Sequence, residues 1–139
     1  MALLLASGAR RAMLAAASAS HPDEACGLLF GHRDRDLWRV EAASVAANVA
    51  ADPRHRFEVD PRHLFAAQRA ARTGGPSIVG VWHSHPDGPA RPSAADRAGI
   101  TDPAWVWIIV SPPAVAAYVP DGEWPWGFRP LRETAPARM

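Results

Sequence analysis

The chain has 139 residues, of which 48% are hydrophobic and 21% are charged. This length and composition predict one globular domain built around a single core. The formal net charge is only +1 and no basic stripe stands out, which argues against a nucleic-acid-binding surface. All fifteen basic residues are arginine, so lysine nucleophiles and Schiff bases are excluded. The single cysteine, Cys26, excludes an internal disulfide and a multi-cysteine zinc site, and it favours a reducing, cytoplasmic setting.

The N-terminal stretch "MALLLASGARRAMLAAASAS" has the apolar run and the small residues of a secretory signal. However, Arg10 and Arg11 follow the apolar run instead of preceding it, and the run is too short to span a bilayer. We therefore interpret it as a short strand at 2–6 and then a helix with Ser7 as its N-cap. We expect no membrane partner, and export is the alternative interpretation.

Strands and helices alternate through the rest of the chain. Apolar runs and turn residues predict strands at 25–31, 37–49, 77–83, 105–113, 115–122 and 126–133, with a charged turn at 32–36. One helix is expected to begin after Asp60 as N-cap, with Pro61 in the first helical position, and a short helix covers 93–100. This alternation predicts a mixed α/β class, with one domain over 1–130 and a flexible tail over 131–139.

The segment "VWHSHPDGPARPSAADR" concentrates polar residues at the end of a predicted strand. His83 and His85 lie at i and i+2, so both rings project from the same face of the strand. Two neutral imidazoles suit a divalent transition metal, above all zinc, although such a pair is also common as two surface histidines. Ser93 and Asp96 have the spacing of a helix N-cap and a first-turn carboxylate. If the loop returns the helix start to the strand end, Asp96 is the third ligand and a fourth position is left for water.

A zinc-bound water needs a base that can also carry its proton to a leaving group. Glu24, in "HPDEACGLLFG", is the candidate, because a carboxylate at the start of a buried strand is unexpected unless it is paired or used. The alternative is an exposed residue in the turn before the strand. Spacing alone does not choose Glu24 over Glu41 or Glu58.

The motifs "HPDEACGLLFG" and "HSHPDGPARPSAAD" together resemble those of the JAMM (MPN-plus) metalloprotease family. That family has a glutamate early in the chain, then H-S/T-H-P, then S-x-x-D, and all these elements occur here in order. The stretch "NVAADPRHRFEVDP", with Asn48, Phe57 and Pro61, is similar to the corresponding segment of short prokaryotic members. The resemblance covers about residues 1–120. It implies a cytidine-deaminase-like mixed sheet flanked by helices in a single compact domain.

The resemblance also implies the roles of individual residues. Zinc is expected to be bound by His83, His85 and Asp96. Glu24 is expected to act as general acid and base through the zinc-bound water. The hydroxyl of Ser93 is expected to help stabilise the tetrahedral oxyanion.

The implied function is that of a zinc-dependent metallopeptidase or isopeptidase acting at the C-terminal tail of a small ubiquitin-like sulfur-carrier protein. Short relatives either release an amino acid from such a tail or remove a conjugated protein, and the sequence does not choose between them. We expect the tail to pair with a sheet edge near His83. Two alternatives are a non-catalytic MPN-type interaction module and a zinc deaminase, which would need a P-C-x-x-C motif that this sequence lacks.

Other conspicuous residues receive structural interpretations. Cys26 is expected to pack in the core, and Trp105 and Trp107 should share one packed face of a strand. Trp124 and Trp126 lie in a Pro- and Gly-rich stretch and are candidates for a partner or homodimer contact. The remaining histidines are expected at the surface: His21, His32, His55 and His63.

Overall fold

The computed structural model describes residues 1–135. Within this range the elements are, in chain order, β1 (Ala2–Leu5), α1 (Ser7–Ser20), β2 (Cys26–Asp34), β3 (Leu37–Ala43), α2 (Pro61–Arg72), β4 (Ile78–Ser84), α3 (Ala94–Ala98), β5 (Val106–Ser111), β6 (Ala114–Pro120) and β7 (Phe128–Glu133). A short 3-10 turn, Pro125–Gly127, precedes the last strand. The predicted mixed α/β class and the alternation of strands and helices are confirmed.

The strands form one closed sheet in the order β1-β3-β2-β4-β5-β6-β7, and β7 pairs with β1 to complete the barrel. β4 lies in the middle of this order, antiparallel to β2 on one side and parallel to β5 on the other. Both edges of β4 are therefore hydrogen-bonded to neighbouring strands. The cytidine-deaminase-like description of the sheet stays a prediction.

Alternating side chains of the sheet build two separate apolar clusters. On β5, Val106, Ile108 and Val110 join the main core, whereas Trp107 points to the opposite face and packs with Phe128. This is the two-residue repeat of a strand that is buried on both faces. α1 covers the main core with one apolar stripe, formed by its buried residues Ala9, Met13 and Ala17.

Element boundaries depart from the sequence predictions at several places. Ser7 is the first helical residue of α1, and Ala6 occupies the N-cap position without a side-chain hydrogen bond, so the predicted Ser7 cap is wrong. β2 continues through Asp34, because its ladder with β3 extends into the segment predicted as a charged turn. By contrast, the predicted cap of α2 is confirmed, since the Asp60 carboxylate accepts a hydrogen bond from the Arg62 N–H at 3.0 Å.

The predicted strand at 37–49 ends at Ala43, and the chain from 44 to 60 forms an irregular segment with two isolated bridges. Asn48 organises this segment. Its amide nitrogen donates to the carbonyl oxygens of Glu24 and Arg56, both at 3.0 Å. Its amide oxygen accepts from the N–H groups of Ala50 and Glu58 at 3.1 and 3.0 Å. The irregular segment is therefore attached both to itself and to the start of β2.

β7 continues through Glu133, so the first residues of the tail predicted at 131–139 belong to the sheet. The rest of that prediction concerns 136–139, which lie outside the described residues. Among the described helices, none has both the length and the apolar character needed to cross a membrane.

Candidate active site and metal centre

His83 and His85 lie at the end of β4 and project from the same face, as predicted from their spacing. Their Nε2 atoms are 3.0 Å apart. His83 is fully buried, and its ring stacks on Phe57 with centroids 4.2 Å apart and an interplanar angle of 15°. The Nδ1 of His85 lies 3.0 Å from the Pro89 carbonyl oxygen. A proton donated from Nδ1 to that oxygen leaves the Nε2 lone pair free for a metal.

Asp96 reaches both rings from α3, which begins directly after the loop that follows β4. Its Oδ1 is 2.9 Å from the Nε2 of His83, and its Oδ2 is 3.1 Å from the Nε2 of His85. Ser93 caps the helix, because its Oγ accepts from the Asp96 N–H at 3.1 Å. The Asp96 carboxylate in turn accepts from the Ser93 N–H at 2.9 Å, which completes a capping box. The cap thus holds the carboxylate toward the two histidines.

The spacing of these three side chains suits one shared metal ion. Ligand atoms about 2.0–2.1 Å from a tetrahedral zinc lie about 3.3 Å from one another. The Nε2 atoms of His83 and His85 are 3.0 Å apart, and each lies within 3.1 Å of a different carboxylate oxygen of Asp96, close to that separation. Two imidazoles and one carboxylate are also a donor set that zinc prefers when a fourth position is left for water. The predicted residues are therefore brought together and fit a metal centre.

The ionisation of Asp96 and the lowered pKa of His83 favour metal binding, whereas the raised pKa of His85 opposes it, because a metal must displace the proton of a charged imidazole. Burial lowers the pKa of His83, although the neighbouring Asp96 carboxylate acts to raise it. Burial acts to lower the pKa of His85 as well, but its hydrogen bonds to Asp96 and Pro89 and the charges of Asp96 and Glu24 leave it raised. Burial acts to raise the pKa of Asp96, yet hydrogen bonds from the two imidazoles hold it well below its ordinary value. The Asp96 carboxylate is therefore ionised.

Backbone hydrogen bonds hold Glu24 beside these three side chains. Its N–H donates to the carbonyl oxygen of Pro53 at 2.7 Å, and its own carbonyl accepts from Asn48. The next residue, Ala25, donates its N–H to the Oγ of Ser84 at 2.8 Å and accepts from the Ser84 N–H at 3.0 Å. The irregular segment and the end of β4 together place Glu24 next to the two histidines.

The Glu24 carboxylate is buried and has an unpartnered oxygen. Its side chain and a ligand atom from each of His83 and His85 lie within 4.8 Å of one another, so Glu24 is a second candidate for the third ligand. Its Oε1 is buried without a hydrogen-bond partner. Burial raises the pKa of Glu24 to about 7, with smaller effects from His85, which lowers it, and from Asp96 and Asp52, which raise it. The shorter contacts and the ionised state favour Asp96 as the ligand, and a pKa near neutrality suits Glu24 to proton transfer.

The structure also separates the three glutamates that the sequence left open. Glu41 is 66% exposed and lies 3.4 Å from the exposed His32. Glu58 is exposed and lies on the wall of a groove near Phe57. Of the three, only Glu24 is buried and belongs to the cluster with the histidines.

Two depressions meet at this cluster. The first, called here the apolar groove, has a volume of about 500 Å³ and is lined by Phe57, Val59, Leu64, Asp96, Trp105 and Trp107, among others. The second, called here the basic pocket, has a volume of about 310 Å³ and is lined by Glu24, Arg54, His55, His85, Arg91 and Ser93, among others. Asp96 faces the groove and Glu24 faces the pocket, so a metal between them would be reached from both sides.

Sequence reasoning did not assign roles to two residues that shape the site. The Phe57 ring stacks against the His83 ring, and the Asn48 amide donates a hydrogen bond to the backbone carbonyl of Glu24. Both belong to the stretch that is similar to short prokaryotic relatives. Their positions between the two motifs suggest importance, but the sequence does not reveal which residues they contact.

Other predicted residues lie as follows. Cys26 is fully buried, as expected, and burial raises the pKa of its thiol to about 12. Trp107 and Trp105 contact the same apolar cluster, which confirms their shared face. Trp124 and Trp126 are 40% and 56% exposed. The four remaining histidines lie outside the metal cluster: His21, His32, His55 and His63. Three of them have polar partners, since His63 contacts Ser44, His55 contacts Asp52 and His32 contacts Glu41.

The sequence and fold are similar to those of known proteins. The model of the family described as prokaryotic homologs of the JAB domain matches residues 6–124. A desampylase of Haloferax volcanii is 40% identical over 114 residues, which cover 79% of this chain and 81% of that protein. A probable TtuB-protein conjugate cleaving protease of Thermus thermophilus is 33% identical, with coverage of 73% of this chain and 66% of the relative.

A CysO-cysteine peptidase of Mycobacterium tuberculosis is also 33% identical, over 72% of this chain and 66% of that protein. Among solved structures, the solution structure of a protein from Desulfitobacterium hafniense superposes with a TM-score of 0.82 at 31% identity, covering 99% of this chain and 94% of the other. The family match spans most of the domain, including Glu24, both histidines, Ser93 and Asp96. The chain therefore belongs to the prokaryotic homologs of the JAB domain, as its resemblance to the JAMM metalloproteases predicted.

Proposed function

We propose that the protein is a zinc-dependent JAMM-type hydrolase that cleaves a peptide or isopeptide bond at the C-terminal tail of a small ubiquitin-like sulfur-carrier protein. The observation that carries this proposal is the convergence of His83, His85 and Asp96 within 3.1 Å of one another, beside the buried carboxylate of Glu24. The names of the Haloferax, Thermus and Mycobacterium relatives support the same class of reaction and substrate.

A zinc ion held by the two histidines and Asp96 would supply a Lewis acid for the scissile carbonyl and for an attacking water. Glu24 accepts the proton of that water and later donates it to the departing amine. Its pKa of about 7 suits both transfers, because the carboxylate can gain and lose a proton near neutral pH.

Ser93 is arranged to stabilise the oxyanion. Its Oγ already accepts a hydrogen bond from the Asp96 N–H through a lone pair. The hydroxyl hydrogen is not used by that cap, so it is free to donate to a developing negative charge. Ser93 lines the basic pocket beside Glu24, so both groups reach the same reacting carbonyl.

The substrate tail cannot pair with β4, contrary to the expectation from the sequence, because β4 has a strand on each side. The irregular segment offers an edge instead. The Glu58 carbonyl oxygen and the Asp60 N–H are hydrogen-bonded to the backbone of residues 47–49 at 2.9 and 3.2 Å. Since alternate residues of an extended chain present their backbone to opposite sides, the backbone groups of Phe57 and Val59 face the apolar groove. An extended tail paired there would lead to the metal ligands.

The alternative of a non-catalytic interaction module would not require the complete set of ligands and a buried base, and both are present here. The zinc-deaminase alternative lacks its cysteine ligands. A cytoplasmic location, a homodimer through Trp124 and Trp126, and a cytidine-deaminase-like sheet stay predictions from the sequence.

The test uses the carriers that the relatives are named for, TtuB and CysO, each extended at its C-terminus and incubated with the zinc-loaded protein. Mass spectrometry should show loss of the extension. Glu24→Gln should bind the same amount of zinc and lose activity by about 10²–10⁴-fold, whereas the exposed control Glu41→Gln should match the wild type. Full activity of Glu24→Gln would place the base elsewhere. A stable complex with a carrier and no cleavage would favour the interaction module.

A further inference from the structure

The inference concerns the group that leaves during hydrolysis, and it rests on the proposed function. Amide hydrolysis needs a proton for the departing nitrogen, and Glu24 is the residue assigned to deliver it. Of the two depressions at the metal cluster, the basic pocket is the one that Glu24 lines. A leaving group protonated by Glu24 would lie in the basic pocket, and the substrate chain on the carbonyl side would extend into the apolar groove.

The basic pocket carries two arginines that are not neutralised by the protein. Among the described residues, neither Arg54 nor Arg91 forms a salt bridge, whereas His55 in the same wall is paired with Asp52 at 3.0 Å. The exposed Asp87 on the rim is the acidic residue that opposes them. The pocket thus presents two guanidinium groups to whatever enters beside Glu24.

Both arginines are attached to parts of the site that are themselves held in place. Arg54 follows Pro53, whose carbonyl oxygen accepts the hydrogen bond from the Glu24 N–H at 2.7 Å. The Arg91 guanidinium lies over the ring of Trp126, with its carbon 5.9 Å from the ring centroid. Such a cation–π contact restrains the Arg91 side chain, which lines the pocket.

We propose that Arg54 and Arg91 bind the free α-carboxylate of a single amino acid attached through its α-amine to the carrier tail. In such a substrate the carboxylate is only two bonds from the scissile nitrogen, so it enters the pocket with that nitrogen. A lysine side chain in an isopeptide brings only methylene groups to the same place, and an internal peptide brings a neutral amide. Guanidinium groups pair well with carboxylates, and a pocket of about 310 Å³ is large enough for one residue.

The reaction is then the removal of one C-terminal residue. Water adds its oxygen to the carbonyl carbon of the carrier's last residue, and the C–N bond breaks. The carrier ends in a new carboxylate, and the nitrogen leaves as the amine of a free amino acid after taking the proton carried by Glu24. No oxidant, reductant or other co-reactant is needed.

The test compares three forms of the same carrier, TtuB or CysO, with zinc-loaded protein: extended by one alanine with a free carboxylate, extended by the same alanine as its amide, and joined to a lysine side chain. The wild type should cleave the free acid with a kcat/KM about ten- to a hundredfold higher than the amide, the size expected for a charged hydrogen bond. Arg54→Gln and Arg91→Gln should each remove most of that preference by lowering kcat/KM for the free acid. Arg11→Gln, an exposed arginine on α1, is the matched control and should behave as the wild type.

Equal cleavage of acid and amide by the wild type, or a preference for the lysine conjugate, would overturn this inference and leave the hydrolase intact. A preference for the acid that survives in both arginine variants would also overturn it. Failure of the wild type to cleave any of the three forms would contradict the proposed function itself, so the two failures are distinguishable.

Discussion

Glu24→Gln in the metal-free protein is expected to raise the free energy of unfolding at pH 8. The reason is the raised pKa of Glu24, about 7 in the folded protein against an ordinary value of 4.5, caused first by burial. Between these two pH values the folded state binds more protons than the unfolded state, so stability falls as pH rises. The difference of about 2.5, at about 1.4 kcal/mol for each pH unit, corresponds to a cost of about 3 kcal/mol above pH 7. Glutamine has a similar shape and no charge, so it removes that cost.

The assay is urea unfolding of the wild type and the variant in the presence of a chelator, at several values of pH from 4 to 8. The stabilisation by Glu24→Gln should be near zero below pH 4.5 and reach its full size above pH 7. Glu41→Gln is the matched control, because that carboxylate is 66% exposed, and its effect should stay within about 0.5 kcal/mol at every pH. A Glu24→Gln variant that is less stable than the wild type at pH 8, or whose effect does not change with pH, would refute the reasoning.

Three further predictions follow from the contacts at the site. His83→Ala should lose the bound zinc when metal content is measured, while the exposed His32→Ala retains it; retained, site-located zinc in His83→Ala would remove the ligand assignment. Ser93→Ala should lower kcat by about 10²–10³-fold and cost about 1 kcal/mol of stability through the lost cap. Ser93→Gly should recover most of that stability but none of the activity, and a kcat within threefold of wild type in both variants would rule out the oxyanion role. Asn48→Ala should lower the free energy of unfolding by about 3 kcal/mol and reduce activity, because it frees the backbone of Glu24; a loss under about 1 kcal/mol on urea unfolding would contradict this.

The local features of the metal centre could be predicted from short stretches of sequence. His83 and His85 share a face because a strand repeats every two residues. Ser93 and Asp96 form a capping box because the two positions are three apart at the start of a helix. The same kind of local rule identified Asp60 as the cap of α2. These features depend on backbone geometry over a few residues, and one sequence contains that information.

The cap predicted at Ser7 shows the limit of such rules. A serine before an apolar helix is a common N-cap, yet α1 begins one residue earlier, because β1 passes almost directly into the helix. The closure of the sheet likewise cannot be predicted from local sequence patterns, because the parallel pairing of β7 with β1 joins strands from opposite ends of the chain. The missing edge of β4 follows from its pairing with β2 and β5, which also joins separate segments of the chain.

The sequence by itself therefore predicted the candidate metal ligands, the common face of the two histidines and the family, because these depend on residue types at fixed short spacings. Spacing left three glutamates open as the base, and only the tertiary structure shows that Glu24 is the one buried beside the histidines. Glu24 is far from the histidines along the chain. Its position depends on the hydrogen bond that its carbonyl accepts from Asn48, on the one that its N–H donates to the Pro53 carbonyl, and on the bonds between Ala25 and Ser84. Its raised pKa is likewise a property of burial, which exists only once the chain has folded.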